Sequence, residues 1–360
     1  MSRFLIDRYA PLEPYTPGEQ PQDMQYIKLN TNEFPYPPAP EVLAAVNADA
    51  AAQLRLYCDP ECTVLRQALG ENYGVPAANI FTANGSDDIL NFAFQAFAGA
   101  QKPAFFPDVT YGFYKVFGAL HGVDCTELPL RDDFTVDPAD YYRRGGMVVL
   151  ANPNAPTGIA LTRDQIERIV QENPDQVVLI DEAYVDFGAE SCVPLTARYD
   201  NLLVVMTYSK SRALAGARLG FAIGSRGLIE DLERIKYSTN PYNVNRITQA
   251  CGTAAARFDG YYRSRCAEIA ATRDFTAAAL REMGFRVLPS QTNFLFAEKP
   301  GMDGAELYQA LRRRGILVRH FTQPRIRQFN RITVGTRGQM DALLAAVKEI
   351  TEGGTPDEKR

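Results

Sequence analysis

Between Ile80 and Gly224 the chain repeats one pattern, in which a short, unbroken apolar run ends abruptly in a polar cluster. IFTA (80–83) leads into NGSDD, MVVLA (147–151) into NPNAPTG, QVVLI (176–180) into DEAYVDF and NLLVVM (201–206) into TYSKSRALAG; GFAIG (220–224) is a further run. A strand with one wet face alternates apolar and polar residues. A run of Val, Ile and Leu without alternation must be buried on both faces, the condition of a parallel sheet covered by helices. DILNFAFQAFAGA, apolar at helical spacing, follows the first cluster and supplies such a cover. The pattern predicts an α/β fold with a large, mostly parallel central sheet and puts each polar cluster just past the carboxyl end of a strand. In open α/β sheets ligands bind at that edge, so four clusters there carry more weight than any one alone.

The flanking segments have a different character. Pro11 to Pro40 is rich in proline and poor in apolar residues, which predicts an extended arm. After about Arg265 a long helical pattern, AEIAATRDFTAAALREMG, leads into FRVLP, NFLFAE, GILVRHF and RITVGT, as in a smaller α+β domain closing on the first. The expected organisation is an N-terminal arm joining the small domain (1–30), a large domain (31–264), a small C-terminal domain (265–350) and a flexible tail (351–360) with no apolar anchor. No internal repeat is visible.

Composition narrows the function. With 46% hydrophobic and 22% charged residues over 360, the chain is neither disordered, collagenous nor coiled-coil. A net charge of −5 argues against nucleic acid as a partner. Two histidines, His121 and His320, are too few for a His-built metal site. Of the six cysteines (58, 62, 125, 192, 251 and 266) only Cys58 and Cys62 are close, and no second pair completes a zinc set, so they read as reduced, structural thiols. Arg3, Asp7 and Arg8 interrupt the N-terminal stretch, leaving no signal peptide, and nothing approaches the ~20 apolar residues of a membrane span; a cytoplasmic protein is expected.

The clusters carry complementary chemistry. Lys210 directly follows a buried run, with Arg212 and Arg218 nearby. Burial and neighbouring positive charge both favour an uncharged, nucleophilic amine, although by itself this lysine reads more readily as a surface residue at a helix start. Asp181 at the end of QVVLI is either a helix N-cap or a desolvated carboxylate in need of a cation such as a protonated pyridine nitrogen, and Tyr184 can reach a phenolate oxygen on the same ring. Asn84-Gly85-Ser86-Asp87 before a helix is a plain capped turn or an anion cradle, to which Ser209 and Arg218 add donors. Tyr111, after PAFF, is core or a stacking ring, and the NPNAPTG turn offers polar amides. An amine, an anion cradle, a buried carboxylate, two phenols and an amide together match the aldehyde, phosphate, pyridinium and 3-hydroxyl of pyridoxal phosphate.

NPNAPTG, DEAYVDF and YSKSRALAGARLGF, in this order, resemble the pyridoxal-phosphate-dependent aminotransferases of the aspartate-aminotransferase fold. LEPYTPGEQP, KLNTNEFPYPP, RLYCDP and VRHF…RITVGT narrow the resemblance to the histidinol-phosphate aminotransferases, over about Leu12 to Gly338. The resemblance implies that Lys210 joins the cofactor covalently, Asp181 pairs with its ring nitrogen and Tyr184 bonds its 3-oxygen. It implies that Ser86, Ser209, Arg218 and the Gly85–Ser86 backbone hold the phosphate, that Asp87 also belongs to the cofactor site, and that Tyr111 stacks on the ring. Tyr57 in RLYCDP would reach the neighbouring subunit's cofactor, making the enzyme a homodimer with shared active sites. Arg331 and Arg319 are the implied anchors for the substrate's anion, and Tyr15 helps close the pocket. The family often reads Asn-Asn-Pro-Thr-Gly where this chain has Ala155, so the amide contact to the 3-oxygen is assigned to Asn154. Tyr242 and Asn243 are expected either at the imidazole slot or in a packed loop. The implied reaction is transamination between L-histidinol phosphate and 2-oxoglutarate, giving imidazole-acetol phosphate and L-glutamate. An aromatic amino acid aminotransferase and a threonine-phosphate decarboxylase are the alternatives on the same fold.

Overall fold

The computed structural model describes residues 2–353. Its strands are β1 (Ile27–Lys28), β2 (Ile80–Ala83), β3 (Ala104–Pro107), β4 (Cys125–Leu128), β5 (Met147–Ala151), β6 (Val178–Asp181), β7 (Leu202–Thr207), β8 (Gly220–Ile223), β9 (Arg286–Val287), β10 (Phe294–Glu298), β11 (Ile316–Leu317), β12 (Arg319–His320) and β13 (Asn330–Thr333). Seven of them form the central sheet, in the order β2-β8-β7-β6-β5-β3-β4.

The unbroken apolar runs are the buried strands they were expected to be. Alternate residues enter different cores: Val148, Leu150, Ile180 and Val204 pack on one face of the sheet, and Met147, Val149, Leu179 and Val205 on the other. Each fully buried aliphatic side chain contributes about 1.5–3 kcal/mol, so a polar residue at any of these positions would cost both the burial and an unmet hydrogen bond. β5, β6 and β7 run parallel, with Val178 opposite both Val148 and Leu202. β8 alone runs against its neighbours β2 and β7, with Gly220 opposite both Ala83 and Thr207. Its reversal brings the beginning of β8 to the edge where the other strands end, and carries Arg218 there with it.

A second, antiparallel sheet has the order β12-β13-β10-β9. It shares a core with the helices Asp259–Glu282, Gly304–Arg313 and Arg337–Thr351, including Leu280, Phe294, Leu307, Leu311, Met340 and Leu343. The arm joins this part of the molecule, because Ile27 and Lys28 pair in parallel with Ile316 and Leu317. The helix Asp259–Glu282 begins before position 265 and contacts both halves: Arg273 donates to the carbonyls of Phe187 and Thr292. A boundary at 264/265 would therefore cut a continuous helix. The last helix runs to Thr351, and the expected tail over 354–360 lies outside the described residues. Among the described residues, no helix is long and apolar enough to cross a membrane.

Candidate active site

The ends of β5, β6 and β7, the start of β8, the arm and the second sheet border a cleft of about 200 Å³. Where β2 ends, Gly85 takes a φ of +88° and the helix Ser86–Phe97 begins. Conformation requires glycine at position 85, where a side chain would also displace Arg218, and space requires it at position 220, where the close atoms are backbone. A Cβ at Gly85 would lie 2.6 Å from Arg218 Nη2, and one at Gly220 would lie 2.4 Å from the Ser86 nitrogen. Arg218 therefore reaches the helix start, where it donates to Ser209 Oγ at 3.3 Å and to Asp87 Oδ2 at 3.2 Å. The other oxygen of Asp87 accepts from the Tyr111 hydroxyl at 2.8 Å. Burial first, and Asp87 second, hold the Tyr111 phenol well above its usual range. Asp87 thus aims a guanidinium and a ring, and the helix start, Ser209 and Arg218 together can hold a phosphate.

Asp181, the last residue of β6, is 5% exposed. Its partners are neutral: Oδ2 accepts from the Tyr114 hydroxyl at 2.9 Å and Oδ1 from the Ala183 N–H at 3.1 Å. Burial pushes its carboxyl up to about 6 against these two hydrogen bonds. No cation is in ion-pair contact with this desolvated carboxylate, the Lys210 charge acting on it only from a distance, and a protonated heterocyclic nitrogen would supply one. Lys210 lies in the short helix Tyr208–Ser211, started by Thr207 Oγ1, which accepts from the Ser209 N–H. Its half-buried amine donates to the Thr31 carbonyl at 3.3 Å and lies 5.9 Å from the centre of the Tyr184 ring.

The opposite end of the cleft is cationic and aromatic. Arg331 on β13 is half-buried, and desolvation pulls its guanidinium below its ordinary value. It donates to the Asn30 carbonyl at 3.1 Å, while its Nε has no partner. Arg319 donates to the carbonyls of Thr16 and Pro17, both at 3.1 Å, and so ties down the arm that carries Tyr15. The Tyr15 ring stacks on Phe113 at 4.3 Å and stands 6.1 Å from Tyr111.

Eleven expected residues therefore share one cleft: Tyr15, Ser86, Asp87, Tyr111, Asp181, Tyr184, Ser209, Lys210, Arg218, Arg319 and Arg331. Gly85 adjoins it. The assignment of Asn154 is corrected. Both of its amide hydrogens are engaged, with the Val109 carbonyl at 2.9 Å and Thr157 Oγ1 at 3.0 Å, and the residue faces away from the cleft, leaving no N–H for a ligand oxygen. Ala155 lines the cleft instead. Tyr57, 80% exposed, and Tyr242 stack at 4.5 Å outside the cleft, and Asn243 donates to Asp88 Oδ2 at 2.7 Å. Tyr114 and Asn32 were not singled out from the sequence. Tyr114 is one of 18 tyrosines, and nothing local marks it as the partner of Asp181. Asn32 donates to the Tyr184 hydroxyl oxygen at 2.9 Å; its signal was an asparagine within a recognised segment, KLNTNEFPYPP.

An amine, a buried carboxylate without a counter-ion and an anion cradle thus meet on one edge, as pyridoxal phosphate requires. The sequence model of aminotransferase classes I and II matches residues 24–347. Histidinol-phosphate aminotransferase 2 of Dechloromonas aromatica is 51% identical over 98% of this chain and 100% of its own length. Histidinol-phosphate aminotransferase 1 of Bordetella parapertussis is 52% identical over 97% and 99%. The crystal structure of histidinol-phosphate aminotransferase from Sinorhizobium meliloti in complex with pyridoxal-5′-phosphate superposes with a TM-score of 0.81 at 27% identity, covering 91% of this chain and 92% of that one. With matches of this extent, the chain belongs to the class I and II aminotransferases, in their histidinol-phosphate aminotransferase branch, and is pyridoxal-phosphate-dependent.

Proposed function

We propose that this chain transfers the amino group of L-histidinol phosphate to 2-oxoglutarate, forming imidazole-acetol phosphate and L-glutamate in histidine biosynthesis. The observation that carries the reading is the buried Asp181, whose partners are neutral, in one cleft with the Lys210 amine and the Arg331 guanidinium. Full-length relatives at about half identity bear the matching name.

When bound, pyridoxal phosphate supplies an electron sink for the charge that develops at the substrate carbon. The chain does the rest. Ser86, Ser209 and Arg218 hold the phosphate, and Asp87 orients Arg218 and Tyr111. Asp181 keeps the ring nitrogen protonated, Tyr184 donates to the ring oxygen, and Tyr111 packs on the ring. The Lys210 amine would be the group that holds the cofactor and, when free, the general base for the substrate Cα proton, a role that requires it within about 3 Å of that proton. Both half-reactions use one pocket, so ping-pong kinetics follow.

The substrates differ in their anions, a phosphate on one and carboxylates on the other. A guanidinium fork accepts either. Arg331 has donors free for that task, whereas Arg319 holds two arm carbonyls and brings Tyr15 over the bound substrate. Arg331→Lys is expected to raise the KM of both substrates by about 10–100-fold with a smaller change in kcat, because an ammonium keeps the charge but loses the fork. Steady-state kinetics with each substrate varied check this, and a change confined to one substrate would disprove the shared role.

The enzyme works as a homodimer in which Tyr57 reaches the partner's cofactor phosphate. Tyr57 lies outside its own cleft and, with Leu43, Val46, Leu54 and Leu56 exposed nearby in the chain, belongs to an apolar surface suited to a second copy. Mixing Tyr57→Phe with Lys210→Ala protein should restore one native site in each hybrid dimer, seen as recovered turnover; no recovery would mean independent sites.

The substrate is tested by an amino-donor screen on purified protein, read from the cofactor's absorbance and from kcat/KM. Histidinol phosphate should exceed phenylalanine by a wide margin. Preference for phenylalanine would make the chain an aromatic aminotransferase, and carbon dioxide release without an oxo-acid acceptor would make it a decarboxylase.

A further inference from the structure

Asn32 lies just beyond β1, 1% exposed, with a left-handed φ of +57°. Asparagine tolerates that conformation better than most residues, but a buried amide must be partnered on both sides. Here the polarity of its hydrogen bonds can be followed from one end. The backbone N–H of Asn32 donates to Thr333 Oγ1 at 2.9 Å, and a backbone N–H can only donate. The Thr333 hydroxyl, already accepting, gives its own proton to Asn32 Oδ1 at 3.0 Å. With the amide oxygen accepting there, the amide nitrogen is turned outward and donates to the Tyr184 hydroxyl oxygen at 2.9 Å. Asn293 donates to the Asn32 carbonyl at 3.0 Å and pins the segment.

The chain of hydrogen bonds thus has one sense and ends on Tyr184. A phenol oxygen that accepts from Asn32 keeps its own proton for another acceptor, and Tyr184 faces the cleft. Nothing in the adjacent turn competes, since the Asn154 amide is engaged elsewhere and position 155 is an alanine. We infer that Asn32, oriented by Thr333, is a positioning residue that holds Tyr184 as a one-way donor to the phenolic oxygen of the cofactor ring. This rests on the role given to Tyr184 in the proposed function. A donor held in one direction lowers the proton affinity of the oxygen it serves; a donor free to turn away does so only part of the time.

The test uses the holoenzyme and two readouts other than turnover: the midpoint of the pH titration of the bound cofactor's visible absorbance, and the dissociation constant of the cofactor. Asn32→Asp replaces the donor by an acceptor and draws the Tyr184 proton away from the cleft. The midpoint should rise by about one pH unit and cofactor affinity should fall about tenfold. Thr333→Val removes the hydroxyl that orients the amide and should move the midpoint in the same direction by about half as much, whereas Thr333→Ser, which keeps the hydroxyl, should leave it in place. In a Tyr184→Phe background neither Asn32→Asp nor Thr333→Val should add a further shift. The inference is overturned if their shifts persist undiminished in that background, if they produce none with Tyr184 present, or if Thr333→Ser behaves like Thr333→Val. Should Asn32→Asp fail to fold, the Thr333 pair, read with and without Tyr184→Phe, decides between these outcomes. If Tyr184→Phe itself leaves the midpoint unmoved, the role of Tyr184 falls and the inference with it; if Tyr184→Phe moves the midpoint while the Asn32 and Thr333 variants do not, only the inference falls.

Discussion

Lys210→Ala is expected to lower transamination by about 10⁴-fold or more and to abolish covalent attachment of the cofactor. In the proposed mechanism the lysine has two tasks, joining the cofactor and moving the Cα proton, and no second amine lines the cleft to take over the first. Arg218, Arg319 and Arg331 offer hydrogen-bond donors and no acceptor. The phenols of Tyr15 and Tyr111 are both raised, chiefly by burial, so neither is available as a base. Lys210→Arg should be no better than alanine, which separates loss of the amine from loss of charge. Borohydride reduction followed by peptide mapping should label position 210 in the native protein and nothing in the variant. A variant that turns over within tenfold of native, or a label at another residue, would falsify the assignment.

The second large effect is expected at Asp181. Asp181→Asn keeps the shape and can keep the hydrogen bonds, since an amide oxygen accepts from the Ala183 N–H and the Tyr114 hydroxyl can turn to accept from the amide nitrogen. What it removes is the negative charge that, in the proposed mechanism, faces the ring nitrogen. Losing one partner of a buried ion pair costs about 3–5 kcal/mol, so kcat should fall by about 10²–10⁴-fold and the cofactor should bind more weakly. Without cofactor the same substitution should act the other way. The Asp181 carboxyl sits at about 6, above its ordinary 3.8, because burial penalises its charge. A folded-state value above the unfolded one gives a contribution to stability that is fully present below about pH 3.8 and lost as the pH rises through about 6. The apo-form of Asp181→Asn should therefore melt above native apo-protein at pH 7, by about 1–2 °C per kcal/mol recovered, and equally with it near pH 4. Melting curves of both apo-proteins at the two pH values check the sign, and a variant that is less stable at pH 7 would show that Asp181 supports the fold rather than the cofactor.

Much of the site was legible because its parts are local. QVVLI ending in Asp181, NLLVVM ending three residues before Ser209, and IFTA running into Asn84-Gly85-Ser86 each state a buried strand and the group at its end within about ten residues. Once strand burial is known, the edge on which these groups meet follows. The family segments extended this to the arginines and to Tyr15, which no periodicity would have singled out. Asn154 shows where such reading stops: Asn154 and Ala155 are neighbours in sequence, yet the turn points the amide to Val109 and Thr157 and the methyl group into the cleft.

Contiguous residues specify the sheet's buried, parallel strands and the groups presented at its edge, because hydrophobic patterning and strand-end chemistry are both local. Tertiary structure alone decided that β8 runs against its neighbours and delivers Arg218 to the helix start. It also decided that Tyr114 lies against Asp181 from 67 positions away, that Arg319 grips the arm, and that Asn32 meets Tyr184 across 152 residues and Thr333 across 301. Those contacts depend on register and packing between segments remote in the chain, and no local propensity encodes which distant partner a polar side chain will find when it is buried.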